Sequence, residues 1–259
     1  MKNNHTWVIC AYGESEFLED CILSLQAQTL PSKVICYSST PLDSIKQLCQ
    51  KYGIPFYTKE GGGIGKDWNN ALSFVETSYA TIAHQDDYYE PTYLEAVMQK
   101  IEQSKDILIA YTDYFEEKNG IKIPANTNLK IKTLMLKTLN LMPSSRFWRN
   151  RILAFGNPIS CPAVTYNLEA LRDFRFDEEM RVSLDWYAWY KISAYKGRFA
   201  YISEKLMCHR IHGESETTKT ISDNIRTKED LFMYQLFWPK WVANLINKAY
   251  MKSQDANSN

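Results

Sequence analysis

The stretch His84-Gln85-Asp86-Asp87 follows the apolar run 80–83 without a break. If that run is a strand, both carboxylates stand at its carboxyl end, the place where open α/β sheets hold ligands. Adjacent like charges repel unless a cation lies between or beside them. A hard divalent ion such as Mg²⁺ or Mn²⁺ meets that need, because it takes oxygen ligands and bridges protein carboxylates to phosphates. An acidic loop left in water is the plain alternative. Two other chemistries find no support. The six cysteines form no Cys-x-x-Cys pair, which argues against a zinc knuckle or a thioredoxin-like site, and they read as reduced, buried side chains. The Gly61-Gly62-Gly63 loop lacks the spacing of a phosphate-binding loop of the ATPase type.

The elements that must position these residues come from the hydrophobic pattern. A short apolar run at 7–12 is followed by Phe17, Leu18, Cys21, Ile22 and Leu25 at helical spacing, and Pro31 closes the segment. Strands are then expected at 34–37, 54–57, 80–84 and 107–113, and helices at 42–52, 66–77 and 92–103. Strands alternating with helices imply an α/β fold whose mostly parallel sheet is covered on both faces. The 259 residues, 45% of them hydrophobic, are enough for one large domain with a sizeable core. Thirty basic and thirty acidic residues cancel, so no nucleic-acid partner is expected.

The charges nevertheless segregate. No Asp or Glu occurs within 118–168, a stretch that includes Lys130, Lys132, Lys137, Arg146, Arg149 and Arg151, whereas the residues just before it are acidic. An aromatic-rich helix interrupted at Pro239 is expected over 231–250, followed by a polar tail. The basic stretch, with Phe237, Trp238, Trp241 and Leu245, could face an anionic membrane surface or a lipid diphosphate acceptor, or the helix could simply pack on the domain. The first residues do not read as a signal peptide and no apolar run is long enough to span a bilayer, so a cytoplasmic protein is expected, peripheral at the inner face of the membrane on the first of those readings.

Several stretches carry a resemblance when taken in order. They are Val8-Ile9-Cys10-Ala11-Tyr12-Gly13-Glu14 with Leu18, Ser24-Leu25 and Gln28-Thr29; residues 65–71 with Asn69; residues 83–87; Ser183-Leu184-Asp185-Trp186; and Cys208-His209-Arg210-Ile211-His212-Gly213-Glu214-Ser215. Together they resemble the first strand and helix, the Gly-x-x-x-Asn segment, the Asp-x-Asp-Asp metal motif, the Glu-Asp-Trp motif and the Arg-x-His-x-x-Ser stretch of the family-2 glycosyltransferases, inverting enzymes of the GT-A fold. The resemblance implies a GT-A domain over 1–225 and a C-terminal helical extension with a polar tail over 226–259. It implies that Asp86 binds the cation holding the donor's diphosphate, that Asp87 supports the site or contacts the sugar, and that His212 approaches the same metal. An imidazole among carboxylates suits Mn²⁺ somewhat better than Mg²⁺. Tyr12, Glu14, Lys66 and Asn69 become donor contacts, and Asp185 the general base that takes the acceptor hydroxyl's proton. On its own residue type, Asp185 could equally begin the helix carrying Trp186, Trp189 and Ile192. Trp186, Tyr187, Trp189 and Tyr190 are expected in the core rather than as sugar-stacking faces, and His209 is expected to be structural.

The sequence departs from the family pattern at three places. His84 stands for the first Asp of the metal motif, Cys36-Tyr37-Ser38-Ser39-Thr40 for a strand ending in an Asp-Asp pair that contacts the nucleoside, and Leu184 for the Glu before the base. The expected activity is inverting transfer of a sugar from a nucleotide-diphosphate donor, a UDP-sugar first, to a glycan or lipid-linked glycan, as in cell-surface polysaccharide biosynthesis. The departures motivate an alternative: a catalytically inactive sugar-nucleotide or glycan-binding protein on the same fold. A nucleotidyltransferase would need a basic Gly-rich loop after the first strand, which Tyr12-Gly13-Glu14-Ser15 does not supply.

Overall fold

The computed structural model describes residues 4–212 and 225–255, with side chains up to 250. Strand β1 (His5–Cys10) is buried along both faces, as its unbroken apolar run requires of a central parallel strand. It is flanked by β2 (Lys33–Tyr37) on one side and β4 (Tyr79–His84) on the other, both parallel, and β3 (Phe56–Tyr57) extends the sheet beyond β2. Helices α1 (Leu18–Gln26), α2 (Asp43–Lys51) and α3 (Ile64–Leu72) make the crossovers. Helix α3 begins directly after the glycine loop and ends five residues short of the expected 77. Register pairs Cys10 with His84, so the residues after β1 and after β4 leave the sheet side by side.

The other half of the sheet is mixed. After β5 (Tyr88–Tyr89) and α4 (Tyr93–Glu102), β6 (Ile107–Lys118) runs five residues past its expected end and turns back as β7 (Ile121–Ile123). Helices α5 (Thr127–Leu139) and α6 (Arg146–Leu153) follow, each with its N-cap side chain, Asn126 or Ser145, accepting from a backbone N–H three residues on. Strand β8 (Val164–Asn167) lies antiparallel between β4 and β6. Helix α7 (Leu184–Ile192) leads to β9 (Arg198–Arg210), which runs parallel to β6. Tyr88 and Tyr89 pair with Cys208 and Met207, and this short ladder carries the end of β9 over Asp86 and Asp87.

Helices α8 (Ile225–Phe237) and α9 (Lys240–Asp255) flank Pro239, as the sequence reading placed the break. Met233 and Tyr234 of α8 are buried in the core that also holds Trp186 and Trp189, so both tryptophans are core, as expected. Glu229 accepts the backbone N–H groups of Val182 and Ser183 just ahead of α7, at 2.8 Å each. Arg149 is fully buried and spends its guanidinium on the carbonyls of Gly197 and Ser193, fastening α6 to the end of α7.

Candidate active site

The two carboxylates after β4 have different surroundings. Asp87 is 1% exposed and points inward, where its Oδ1 accepts the backbone N–H of Arg210 at 3.1 Å and lies 3.3 Å from Nδ1 of His209. Burial alone would push Asp87 up, but His209, His84 and that N–H outweigh it and hold the carboxyl below its usual range. The same pairing overcomes the burial of His209 and holds its imidazole above the ordinary value. Asp87 thus ties β9 to the turn after β4, with His209 as its partner.

Asp86 faces outward. Its Oδ1 accepts from Ser15 Oγ at 3.0 Å, and its Oδ2 lies 3.2 Å from Nε2 of His212. Arg210 fixes the backbone here by donating to the Asp86 carbonyl at 3.4 Å, while its guanidinium sits between the rings of Phe17 and Tyr88, 4.8 Å from each centroid. An outward carboxylate oxygen beside an imidazole nitrogen is an oxygen-plus-nitrogen donor pair of the kind Mn²⁺ or Mg²⁺ accepts, so the residues present fit such an ion. Among the described residues no cluster of three metal-ligating side chains occurs. Gly213, Glu214 and Ser215 lie outside the described residues.

His84 stands at the first position of the acidic motif. Its ring stacks on Trp68 at 5.4 Å, and burial pulls it below its ordinary value, so a neutral imidazole replaces a third carboxylate. Gln85 clamps the neighbouring strand end, accepting the Tyr12 N–H at 3.0 Å and donating to the Tyr12 carbonyl at 2.9 Å. The Tyr12 side chain is left 63% exposed, and Glu14 is exposed as well. Lys66 lies over Gly62, where an added Cβ would come within 2.9 Å of its Cδ. Asn69 is occupied elsewhere: its amide donates to the Phe176 carbonyl at 3.0 Å and accepts the Phe176 N–H at 2.9 Å, pinning the loop before α7.

The sequence reading missed Asp67. The end of β2 has no carboxylate of its own, yet Asp67 reaches it from α3, accepting from Ser39 Oγ at 2.8 Å and Tyr37 Oη at 3.2 Å. The glycine loop allows this approach, because a Cβ on Gly61 would lie 2.6 Å from the Ser39 Cβ and 2.9 Å from Asp67 Oδ1. The nearest signal in the sequence was the Gly61-Gly62-Gly63 run ahead of an acidic helix start.

Asp185 occupies the first turn of α7, where its Oδ1 accepts the Trp186 N–H at 2.7 Å and its Oδ2 accepts from the Asn157 amide at 2.7 Å. Burial drives the carboxyl up to about 6, and those two donors, with the charges of Lys132 and Arg226, only partly offset it. Lys132 reaches the region from the inner face of α5 and donates to Tyr114 Oη at 3.1 Å. Burial pushes the Cys161 thiol well up, and the nearby charges of Asp185 and Asp87 add to that rise. Asn157 was not legible in advance, since nothing in Gly156-Asn157-Pro158 announces a partner 28 residues away.

A curled α/β sheet with carboxylates at the end of β4, and a third at the start of a helix beyond it, is the GT-A arrangement of nucleotide-sugar enzymes. The sequence model of glycosyl transferase family 2 matches residues 6–162, and the chain belongs to that family of transferases. Glycosyltransferase GlyA of Streptococcus pneumoniae is 24% identical over 123 residues, which make up 45% of this chain but only 18% of GlyA. S. aureus TarS 1–349 in complex with UDP-GlcNAc superposes with a TM-score of 0.67 at 18% identity, covering 95% of this chain and 71% of TarS 1–349. The mannosyltransferase PcManGT of Pyrobaculum calidifontis, in complex with GDP-Man and Mn²⁺, gives 0.63 at 12% identity, covering 89% of this chain and 62% of its own. These likenesses show the fold.

Proposed function

We propose that the chain transfers a sugar, with inversion, from a nucleotide-diphosphate donor to a hydroxyl of a glycan or lipid-linked glycan, with Asp185 as general base. The observation that carries this is the carboxyl of Asp185, raised to about 6 by burial and held at both oxygens by Asn157 and the Trp186 N–H. A group with that value is mostly ionised at neutral pH and still basic enough to take a proton as the acceptor oxygen attacks. A merely helix-starting Asp in water would keep an ordinary value, and an inactive binding protein would have no use for a raised one. Neutral His84 in the metal motif favours the inactive reading; the surroundings of Asp185 favour the enzyme.

On this reading Asp86 and His212 hold Mn²⁺ or Mg²⁺, which when bound neutralises the departing diphosphate. Tyr12, Glu14 and Lys66 line the donor's approach, with Asn69 shaping the loop beside it and Asp87 holding the turn. A UDP-sugar is the donor we favour, and Ser39 with Asp67 supplies the polar edge for its nucleoside. The test is a pair of variants. Asp185→Asn should lower transfer by about 10²–10⁴-fold while UDP binding with Mn²⁺, read by calorimetry, survives. Asp86→Asn should weaken metal-dependent UDP binding and transfer together, because an amide is a poor ligand for a hard cation. Near-normal turnover of Asp185→Asn would remove it as the base.

A further inference from the structure

Helix α5 presents two different faces. Leu129, Lys132, Thr133 and Leu136 turn inward, Thr133 donating to Asp113 at 2.9 Å and Lys132 to Tyr114. Lys130, Leu134, Lys137 and, just past the helix, Leu141 turn outward at spacings of four, three and four, forming one exposed stripe of alternating cations and leucines. Leu134 is 64% and Leu141 73% exposed. Soluble surfaces tolerate single exposed leucines, but this stripe continues into other exposed apolar side chains.

Helix α6 is joined to α5 by Trp148, whose ring N–H donates to the Thr138 carbonyl at 2.8 Å. Phe147 is exposed on α6, and Arg151 lies over both its ring and that of Trp238, at 5.6 and 5.4 Å. Trp238 also meets exposed Phe155, and one turn further on α9 exposes Trp241 and then Leu245. The expected aromatic patch therefore divides. Phe237 and Trp238 are half-buried and packed, Phe237 on Tyr190 and Trp238 through a hydrogen bond to the Ala154 carbonyl, whereas Trp241 and Leu245 remain in water.

Charge separates the candidate occupants of this face. Neither contributing segment, 118–168 or 231–254, contains an Asp or Glu, and exposed Lys130, Lys137 and Arg146 have no ion pair among the described residues. A second copy docked face to face would bring the same uncompensated cations against them. An anionic sheet of lipid headgroups supplies the missing charge, and its interfacial layer accepts Phe, Trp and Leu. We propose that the outward faces of α5 and α6 and the start of α9 dock on an anionic bilayer. Since the inner face of α5 carries Lys132 into the neighbourhood of Asp185, docking holds the acceptor side of the site against the membrane. The docking surface itself does not depend on which sugar is moved, or on whether any is.

The test is flotation of the full chain with vesicles of phosphatidylcholine alone and with about one-third phosphatidylglycerol, at low and high salt, beside a light-scattering mass. Wild type should float with the anionic vesicles, less so at high salt, and stay behind with phosphatidylcholine. Lys130→Glu/Lys137→Glu and Leu134→Asp/Phe147→Asp should each lower the partition coefficient at least tenfold, with the melting temperature and UDP binding showing that both variants fold. Leu23→Glu, an exposed leucine on α1, should float like wild type. Failure of wild type to float, equal flotation with uncharged vesicles, or unchanged flotation of both patch variants would overturn the proposal. So would a dimer that the patch substitutions dissolve, because the face would then join two copies.

Discussion

Asp87 after β4 is buried and Asp185 at the start of α7 is partly buried, and their surroundings move them in opposite directions. Asp87 has a histidine, a second imidazole and a backbone N–H from β9, and these hold it ionised below its usual range. Asp185 has an amide and a backbone N–H, with its cationic neighbours at a distance, so burial wins and its carboxyl rises to about 6. A paired carboxylate can tie two elements together. A destabilised one can exchange a proton near neutral pH, and on the proposed reading that difference separates the anchor, Asp87, from the base, Asp185.

The comparison breaks most visibly in stability. Folded Asp87 releases its proton more readily than the unfolded chain does, so its contribution is present above about pH 4 and is lost as pH falls through its depressed value. Asp87→Asn should cost about 3 kcal/mol, the low end for breaking a buried pair, since His209 is about one-third exposed and partly screened. Asp185 has the opposite sign: the folded form keeps its proton up to about 6, the unfolded chain only to about 4, so ionised Asp185 opposes folding at neutral pH. Asp185→Asn relieves that opposition but turns an amide N–H toward one of the two donors that hold the carboxylate, so it should lower the melting temperature less than Asp87→Asn does. Equal losses in both variants, read by thermal melts at pH 7, would erase the distinction.

Asn157→Ala sharpens it. Removing the amide that steadies ionised Asp185 should lower transfer at pH 7 about tenfold and move the acid limb of the rate profile to higher pH. A merely structural asparagine would change the melting temperature and leave the limb in place. The smallest effect is expected at the end of β2. Asp67→Asn should weaken UDP binding a few-fold, because the carboxylate that orders Ser39 and Tyr37 becomes an amide. Calorimetry showing full affinity would leave Asp67 as a support for the glycine loop alone.

How much of this was legible depends on the range of the interaction. The alternation from β1 to α4, apart from the two-residue strand β5, was readable because each element announces itself within ten residues or so by its apolar spacing. The pair Asp86-Asp87 was readable too, and the resemblance already set Asp86 on the cation and Asp87 in support of the site or on the sugar; what it did not give is the ladder of Tyr88 and Tyr89 with β9 that brings the Arg210 N–H onto Asp87. Strand β9 was missed as an element because Ser203, Glu204 and Lys205 interrupt its apolar pattern and its partner β6 is about ninety residues away. Asp67 and Asn157 were missed for the same reason: each acts on a side chain that only the tertiary fold brings near. The expected helix 66–77 was too long at its end, where 73–75 close as turns.

The pH dependence of transfer by the wild-type chain tests the central claim most directly. If Asp185 is the base, kcat/KM should be level above about pH 7 and fall tenfold per unit below about 6, as the carboxyl takes up its proton. The residual rate of Asp185→Asn should show no such limb. A wild-type profile flat from pH 5 to 8, or the same acid limb in the variant, would contradict the account.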